Sequence, residues 1–204
     1  EAARHDRVGM TRSDELGDDP LTAEVLDLYR RAAATFGEQV AIIGDEAWDL
    51  PTPSTEWIVK AVVAHVVVGE AQLPDLIDGN AFELNDVDAS VLGHDPLSVW
   101  RGTALAALGA VGNADLDVVV DHPVGRLPLH QVAGFRITEN LVHAWDVATA
   151  RGVAHELDAE IATWCLDFWL PLADGLAASG YFGPMLEPAS DTPGARLLAL
   201  LGRA

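Results

Sequence analysis

The stretch FRITENLVHAWDVATARG, residues 135–152, constrains the fold most, because it reads as one helix that carries ionisable groups among apolar side chains. At about 100° per residue, positions four apart lie on nearly the same side of a helix. Glu139 and His143 therefore point together. Their companions on that side are residues that a core buries: Val132, Phe135 and Val142. Because a buried unpaired carboxylate is strongly unfavourable, Glu139 requires a cation or a metal ion as its partner.

A second predicted helix, from about Thr55 to Ile77, has the same anomaly, since His65 shares its side with apolar residues. A lone histidine there is more often a core residue with one hydrogen bond, and a lone Glu–His pair is usually a surface pair. Ligands on two helices can instead meet inside a bundle. Two imidazoles and one carboxylate suit Zn²⁺, or alternatively Ni²⁺ or Fe²⁺, and leave a coordination position open as catalytic sites do.

The remaining pattern predicts an all-α bundle with short or irregular links. The other predicted helices run from Asp19 to near Gly44, from Asp95 to Gly112, from His130 to Ala150, and over residues 156–180 with a kink at Pro171. The β-branched run and turn residues of 115–130 indicate a short hairpin or loop. A short apolar segment near the C-terminus should dock on the bundle. We expect residues 1–18 to be a flexible segment and residues 19–204 to form a single domain.

Composition excludes some classes of partner. The chain has 12 Lys and Arg against 32 Asp and Glu, a net charge of −20, and such a surface repels nucleic acid and anionic lipid. Cys165 is the only cysteine, so no intrachain disulfide can form, and we interpret it as a small buried apolar residue. No apolar signal core lies near the N-terminus, and no apolar run could span a bilayer. We therefore expect a cytoplasmic protein.

Two stretches resemble signatures of a known superfamily. WDLPTPSTEWIVKAVVAHVVVGE, residues 48–70, resembles the segment around the first metal histidine of the DinB-like, mycothiol-dependent maleylpyruvate isomerase superfamily. RITENLVHAWDVATARG, residues 136–152, resembles its second signature, a Glu and a His four apart followed by Trp-Asp. The tail, residues 182–203, looks like the end of a single-domain, largely uncharacterised branch. One departure is Ile58, where the superfamily usually has Ser or Thr, so capping is expected from Ser54 or Thr55.

The resemblance implies a DinB-like four-helix bundle whose metal ligands are His65, Glu139 and His143. It also implies a low-molecular-weight thiol such as mycothiol, acting with a small electrophilic substrate in a transferase or isomerase. Four more residues are candidates for supporting the ligands or binding substrate: Asp146, Arg136, Trp57 and Trp145. Asp146 is expected to accept the free ring N–H of a metal-bound histidine, or else to bond Arg136 or Arg151. Related bundles often pair through helices, which leaves a homodimer open.

Two other functions stay open at this stage. In a metal-dependent hydrolase the open position would hold water rather than a thiol. In a non-catalytic binding protein the metal would hold a ligand without turnover. Activity that requires an added thiol separates the enzyme classes, and ligand binding without turnover supports the binding protein. His122 and His130, in or beside the irregular segment, are further residues that could approach the site.

Overall fold

The computed structural model describes residues 20–54, 57–81, 88–179 and 182–203. Its helices are α1 (Pro20–Ala41), α2 (Val59–Ile77), α3 (Pro96–Gly112), α4 (Leu129–Ala150), α5 (Ala159–Trp169), α6 (Ala173–Ser179) and α7 (Pro193–Leu200). Strands β1 (Val119–His122) and β2 (Gly125–Pro128) form an antiparallel hairpin between α3 and α4, in which Val120 pairs with Leu127. The predicted all-α fold with a short hairpin is confirmed. The predicted flexible segment 1–18 and the predicted start at Asp19 lie outside the described residues.

The first four helices form the bundle. Helix α1 packs on α3 and α4, and α2 packs on the same two helices. One hydrophobic cluster joins these four helices through residues such as Phe36, Val63, Trp100 and Val147. A second cluster extends from the bundle to α5 and α7. Among the described residues, no helix has both the length and the apolar character needed to cross a membrane.

Helix α2 begins four residues later than predicted, at Val59 rather than Thr55, and its start does not use a side-chain cap. Ile58 is the N-cap residue and makes no side-chain capping bond. The preceding loop supplies the acceptors instead. The N–H of Val59 donates to the carbonyl of Leu50, and the N–H of Lys60 donates to the carbonyl of Trp48, both at 2.9 Å. Capping by Ser54 is therefore wrong, and Thr55 lies outside the described residues.

The described residues that follow α4 pack onto the bundle. The fifth predicted helix, residues 156–180, is broken where a kink was predicted, because α5 stops at Trp169 and a 3₁₀ turn over Leu170–Leu172, which contains Pro171, leads into α6. Helix α7 packs on α5 and buries Leu197. The predicted docking of the C-terminal apolar segment is confirmed, and it brings the end of the described chain close to α4.

Candidate metal centre

The structure brings the three predicted ligands together where α2 faces α4. His65, Glu139 and His143 each offer one ligand atom, and these atoms lie within 4.8 Å of one another. The Nε2 atom of His65 is 3.1 Å from Oε2 of Glu139, and the two imidazole rings are 5.4 Å apart between centroids. We call these residues the triad. Glu139 and His143 lie on the same side of α4 because they are four residues apart, and the packing of α2 on α4 places His65 beside them.

Glu139 is held as an ionised carboxylate. Its side chain is 28% exposed, and Arg136 donates from Nη1 to Oε2 at 2.7 Å. Burial acts to raise the pKa of Glu139, but the Arg136 guanidinium and the neighbouring imidazoles outweigh it and hold the pKa well below its usual range. Glu139 is therefore in the charged form that a divalent cation requires.

His143 is oriented by a carboxylate behind it. Its Nδ1 lies 2.8 Å from Oδ2 of Asp146 on the same helix. Burial lowers the pKa of His143 despite the opposing effect of Asp146. Burial would raise the pKa of Asp146, but His143 and Arg203 outweigh it and the pKa is lowered. An ionised carboxylate only accepts hydrogen bonds, so Nδ1 carries the proton and Nε2 is left as the ligand atom.

The arginine that pairs with Asp146 is neither of those considered from the sequence. Arg203, beyond the end of α7, donates from Nε at 3.0 and 3.1 Å and from Nη2 at 3.0 Å to the carboxylate. Arg151 instead donates to Gln39 at 3.2 Å. The expected bonds from Arg136 or Arg151 are therefore wrong, whereas the expected contact with His143 is present. No periodicity links a residue near the C-terminus to α4, so the sequence carried no signal for Arg203.

Arg136 contacts the triad from inside the bundle. It is 4% exposed, and besides Glu139 it donates to Glu70 at 3.3 Å and to the carbonyl of Val66 at 3.2 Å. Gly69 makes room for it, since a Cβ there would lie 2.2 Å from Nη1. Arg136 is thus held inside the bundle through three of its N–H donors, and a role for it in binding substrate stays a prediction.

Glu70 is a buried residue that sequence reasoning missed. It is fully buried on α2, where it accepts from Asn140 at 2.7 Å and from the hydroxyl of Tyr29. Burial raises the pKa of Glu70 more than Arg136, Tyr29 and Asn140 lower it. A carboxylate in the otherwise apolar run VVVGEAQL was the signal that could have found it.

The two candidate tryptophans have different positions. The ring of Trp57 lies 4.7 Å from that of His65 and 6.1 Å from that of His143, between centroids, so it covers the triad from the loop before α2. Trp145 lies two residues, about 200° of helix, beyond His143, and it packs against the core cluster that contains Leu141. Trp57 is therefore next to the site, and Trp145 is a packing residue.

The two histidines near the hairpin also differ. His122 of β1 lies 5.6 Å from the ring of Phe135, which is one turn before Glu139 on α4. His130 is held at the start of α4, with Nδ1 at 3.3 Å from the carbonyl of Leu116 and 3.5 Å from Asp117. Of the two, His122 approaches the triad's side of α4.

The donor set fits a divalent transition metal. Two imidazoles and an ionised carboxylate, with one imidazole supported by a carboxylate, are the ligands and support typical of catalytic zinc sites. Around the triad, Glu70, Glu139 and Asp146 oppose Arg136 and Arg203. Glu139 is the charged ligand of the triad, and an ionised carboxylate beside two neutral imidazoles favours binding of a divalent cation. Metal binding by the triad stays a prediction.

Comparison with known proteins agrees with the resemblance seen in the sequence. The family described as the mycothiol maleylpyruvate isomerase N-terminal domain matches residues 29–148, which include the whole triad. Two relatives from Mycobacterium tuberculosis are "Uncharacterized protein MT0763" (strain CDC 1551 / Oshkosh) and "Uncharacterized protein Rv0738" (strain ATCC 25618 / H37Rv). Each is 29% identical over 192 residues, which cover 91% of this chain and 98% of the relative.

Solved structures share the fold. The crystal structure of the mycothiol-dependent maleylpyruvate isomerase matches with a TM-score of 0.62 and 18% identity, over 82% of this chain and 72% of that chain. A mutant of that isomerase matches with a TM-score of 0.53 and 17% identity over the same shares. Because the family match covers more than half of the sequence, the chain belongs to the mycothiol maleylpyruvate isomerase N-terminal domain family.

Proposed function

We propose that this protein is a metal-dependent enzyme that uses a low-molecular-weight thiol of the mycothiol type, as a transferase or isomerase acting on a small electrophile. The observation that carries the proposal is the convergence of His65, Glu139 and His143, with their ligand atoms within 4.8 Å of one another. Membership of the family supports the thiol, and so does the name of the structural relative. We further propose that residues 19–204 form one domain and that the protein acts in the cytoplasm, without nucleic acid or membrane partners.

The side chains around the triad have separable roles. A divalent ion held by the triad would supply a Lewis-acid position that stabilises a thiolate over a thiol at neutral pH. Asp146 keeps the proton on Nδ1 of His143, and Arg136 keeps Glu139 ionised. Trp57 lies against the imidazole rings of His65 and His143. Three protein ligands leave room for an exogenous ligand, as in catalytic zinc sites.

The first prediction concerns metal content. The purified wild-type protein should carry about one divalent metal per chain, as expected for a mononuclear site, and His143→Ala should lose most of it because one of the three ligands is gone. The measurement is elemental analysis after dialysis against a weak chelator. The matched control is His94→Ala, which removes an exposed loop histidine and should retain the metal. Unchanged metal content in His143→Ala would show that the triad is not the site.

The second prediction concerns the thiol. A cobalt-substituted sample titrated with mycothiol should develop a cobalt–thiolate charge-transfer band, because sulfur enters the first coordination shell. The protein's own thiol cannot supply this band. Cys165 is buried against Thr138, and burial raises the pKa of its thiol to about 12. If saturating thiol leaves the spectrum unchanged while a hydrolytic activity persists, a metal-dependent hydrolase is the better assignment. Ligand binding without turnover would favour a non-catalytic binding protein.

A further inference from the structure

Arg203 makes a bidentate ion pair with the fully buried carboxylate of Asp146. Asp146 has 0% side-chain exposure and Arg203 has 9%, and three donor–acceptor contacts of 3.0–3.1 Å join them. The other carboxylate contact is to Nδ1 of His143 at 2.8 Å. Asp146 therefore stands between a triad histidine and a cation that comes from the C-terminal end of the described chain.

The backbone at the end of α7 fixes where this cation lies. Gly202 has a φ of +75°, and its N–H donates to Ala199 at 3.1 Å while the N–H of Arg203 donates to Leu198 at 2.8 Å. These two bonds define a Schellman motif, which turns the chain back at a helix end. A Cβ on Gly202 would lie 2.8 Å from the backbone of Gly183, so the turn also packs closely on the preceding loop.

The guanidinium is restrained as well as the backbone. Its Nη1 donates to the carbonyl of Leu201 at 3.1 Å, while Nε and Nη2 hold the Asp146 carboxylate. A planar fork held at three of its nitrogens has little freedom to rotate. The orientation of the Asp146 carboxylate is thus determined by α7 and its terminal turn rather than by α4 alone.

We propose that Arg203 is a positioning residue for the metal centre, which fixes Asp146 and through it the ring of His143. This role rests on the proposed metal function. It makes the C-terminal helix part of the site, although α7 contributes no ligand. Loss of an outer partner of a metal-bound histidine typically weakens metal affinity by about 10- to 100-fold. Arg203 acts one contact further out, so we expect a loss of about 10-fold, at the lower end of that range.

The test measures Zn²⁺ affinity by competition with a chelating dye. The variants are Arg203→Gln, Arg203→Lys and a control, Arg196→Gln, which removes an exposed arginine from the same helix. The glutamine variant should bind Zn²⁺ about 10-fold more weakly. Lysine keeps the charge but loses the fork, so it should lie between the glutamine variant and the control. Arg196→Gln should match the wild type.

A double-mutant cycle separates positioning from general support of the fold. Asp146→Asn should weaken Zn²⁺ binding by itself, and adding Arg203→Gln to it should weaken binding no further, since the contact to be broken is already gone. If Arg203 only stabilised the C-terminal helix, its effect would be the same in both backgrounds, and the inference would be overturned. If Arg203→Gln fails to fold, the Zn²⁺ affinity of Arg203→Lys is measured instead, alone and in combination with Asp146→Asn. A lysine variant equal to Arg196→Gln in affinity would then refute the role. Absence of Zn²⁺ binding in the wild type would instead refute the proposed function.

Discussion

Glu70 and Asp146 are both fully buried carboxylates beside the triad, and each is paired with an arginine, yet their pKa values are shifted in opposite directions. Burial raises the pKa of Glu70, whereas in Asp146 the contacts with His143 and Arg203 outweigh burial and lower it. Both sites exclude water, so burial alone cannot explain the difference.

The two carboxylates differ in their charged partners, and the contact with His143 lowers the pKa of Asp146 more than Arg203 does. Arg203 directs Nε and Nη2 at Asp146, with three contacts of 3.0–3.1 Å. Arg136 is divided between Glu70 at 3.3 Å and Glu139 at 2.7 Å, so its shorter contact goes to the triad. Glu70 is completed by neutral donors from Tyr29 and Asn140. Asp146 therefore has the ring N–H of His143 and an undivided guanidinium to favour its ionised form, whereas Glu70 has part of a guanidinium and two neutral donors.

The largest effect on stability should come from removing the guanidinium of Arg136, which Glu70 and Glu139 share. Arg136→Gln leaves two carboxylates without their guanidinium, and breaking a buried ion pair costs about 3–5 kcal/mol of unfolding free energy. Urea denaturation of the metal-free protein measures this loss. The control Arg151→Gln removes one contact, to Gln39, and should change stability by less than about 1 kcal/mol. Equal losses in the two variants would mean that the Arg136 network contributes no more than the single hydrogen bond from Arg151 to Gln39.

A smaller effect should follow from filling the space that Arg136 occupies. Gly69→Ala would place a Cβ 2.2 Å from Nη1 of Arg136, so the guanidinium must shift away from its carboxylates, at a cost of about 1–3 kcal/mol. The control Gly102→Ala lies on the exposed side of α3, with no atom near the added Cβ. Alanine there should stabilise the helix by about 0.5–1 kcal/mol. Thermal unfolding of both variants checks the prediction, which is wrong if Gly69→Ala is as stable as the wild type.

The smallest effect is a pH dependence assigned to Glu70. A raised pKa means that folding favours the protonated acid. Its contribution to stability is therefore complete below the unfolded-state pKa of about 4.3 and is lost as pH rises through the folded-state pKa. Glutamine cannot ionise, so the unfolding free energy of the wild type relative to Glu70→Gln should fall as pH rises above that value. The slope is at most about 1.4 kcal/mol per pH unit.

Urea unfolding at a series of pH values, without metal, gives the measurement. Glu24→Gln on the exposed face of α1 corrects for the removal of one negative charge. The contrast with Asp146 would be wrong if the unfolding free energy of the wild type relative to Glu70→Gln rose with pH. The fold would then stabilise the ionised form of Glu70 rather than the protonated acid.

The members of the triad could be predicted because each is marked by the residues near it in the sequence. Glu139 and His143 share one face of α4 through the helical repeat, and His65 is a polar residue on the apolar side of α2. The resemblance then joined the two helices. The start of α2 was placed four residues early, because the acceptors that begin it are carbonyls of the preceding loop, which no residue type marks.

Residue types and their spacing thus predicted the helical bundle and a short hairpin or loop, and together with the resemblance they predicted the three side chains that meet between α2 and α4. Only the tertiary structure decided which arginine neutralises which carboxylate. Arg136, one of two arginines considered for Asp146, contacts Glu70 and Glu139 instead, while Asp146 is paired with Arg203, 57 residues further along the chain. The physical reason is range. Helical periodicity relates residues within a few turns, whereas the pairing of buried charges depends on how separate helices dock and on where the turn after α7 directs the side chain of Arg203.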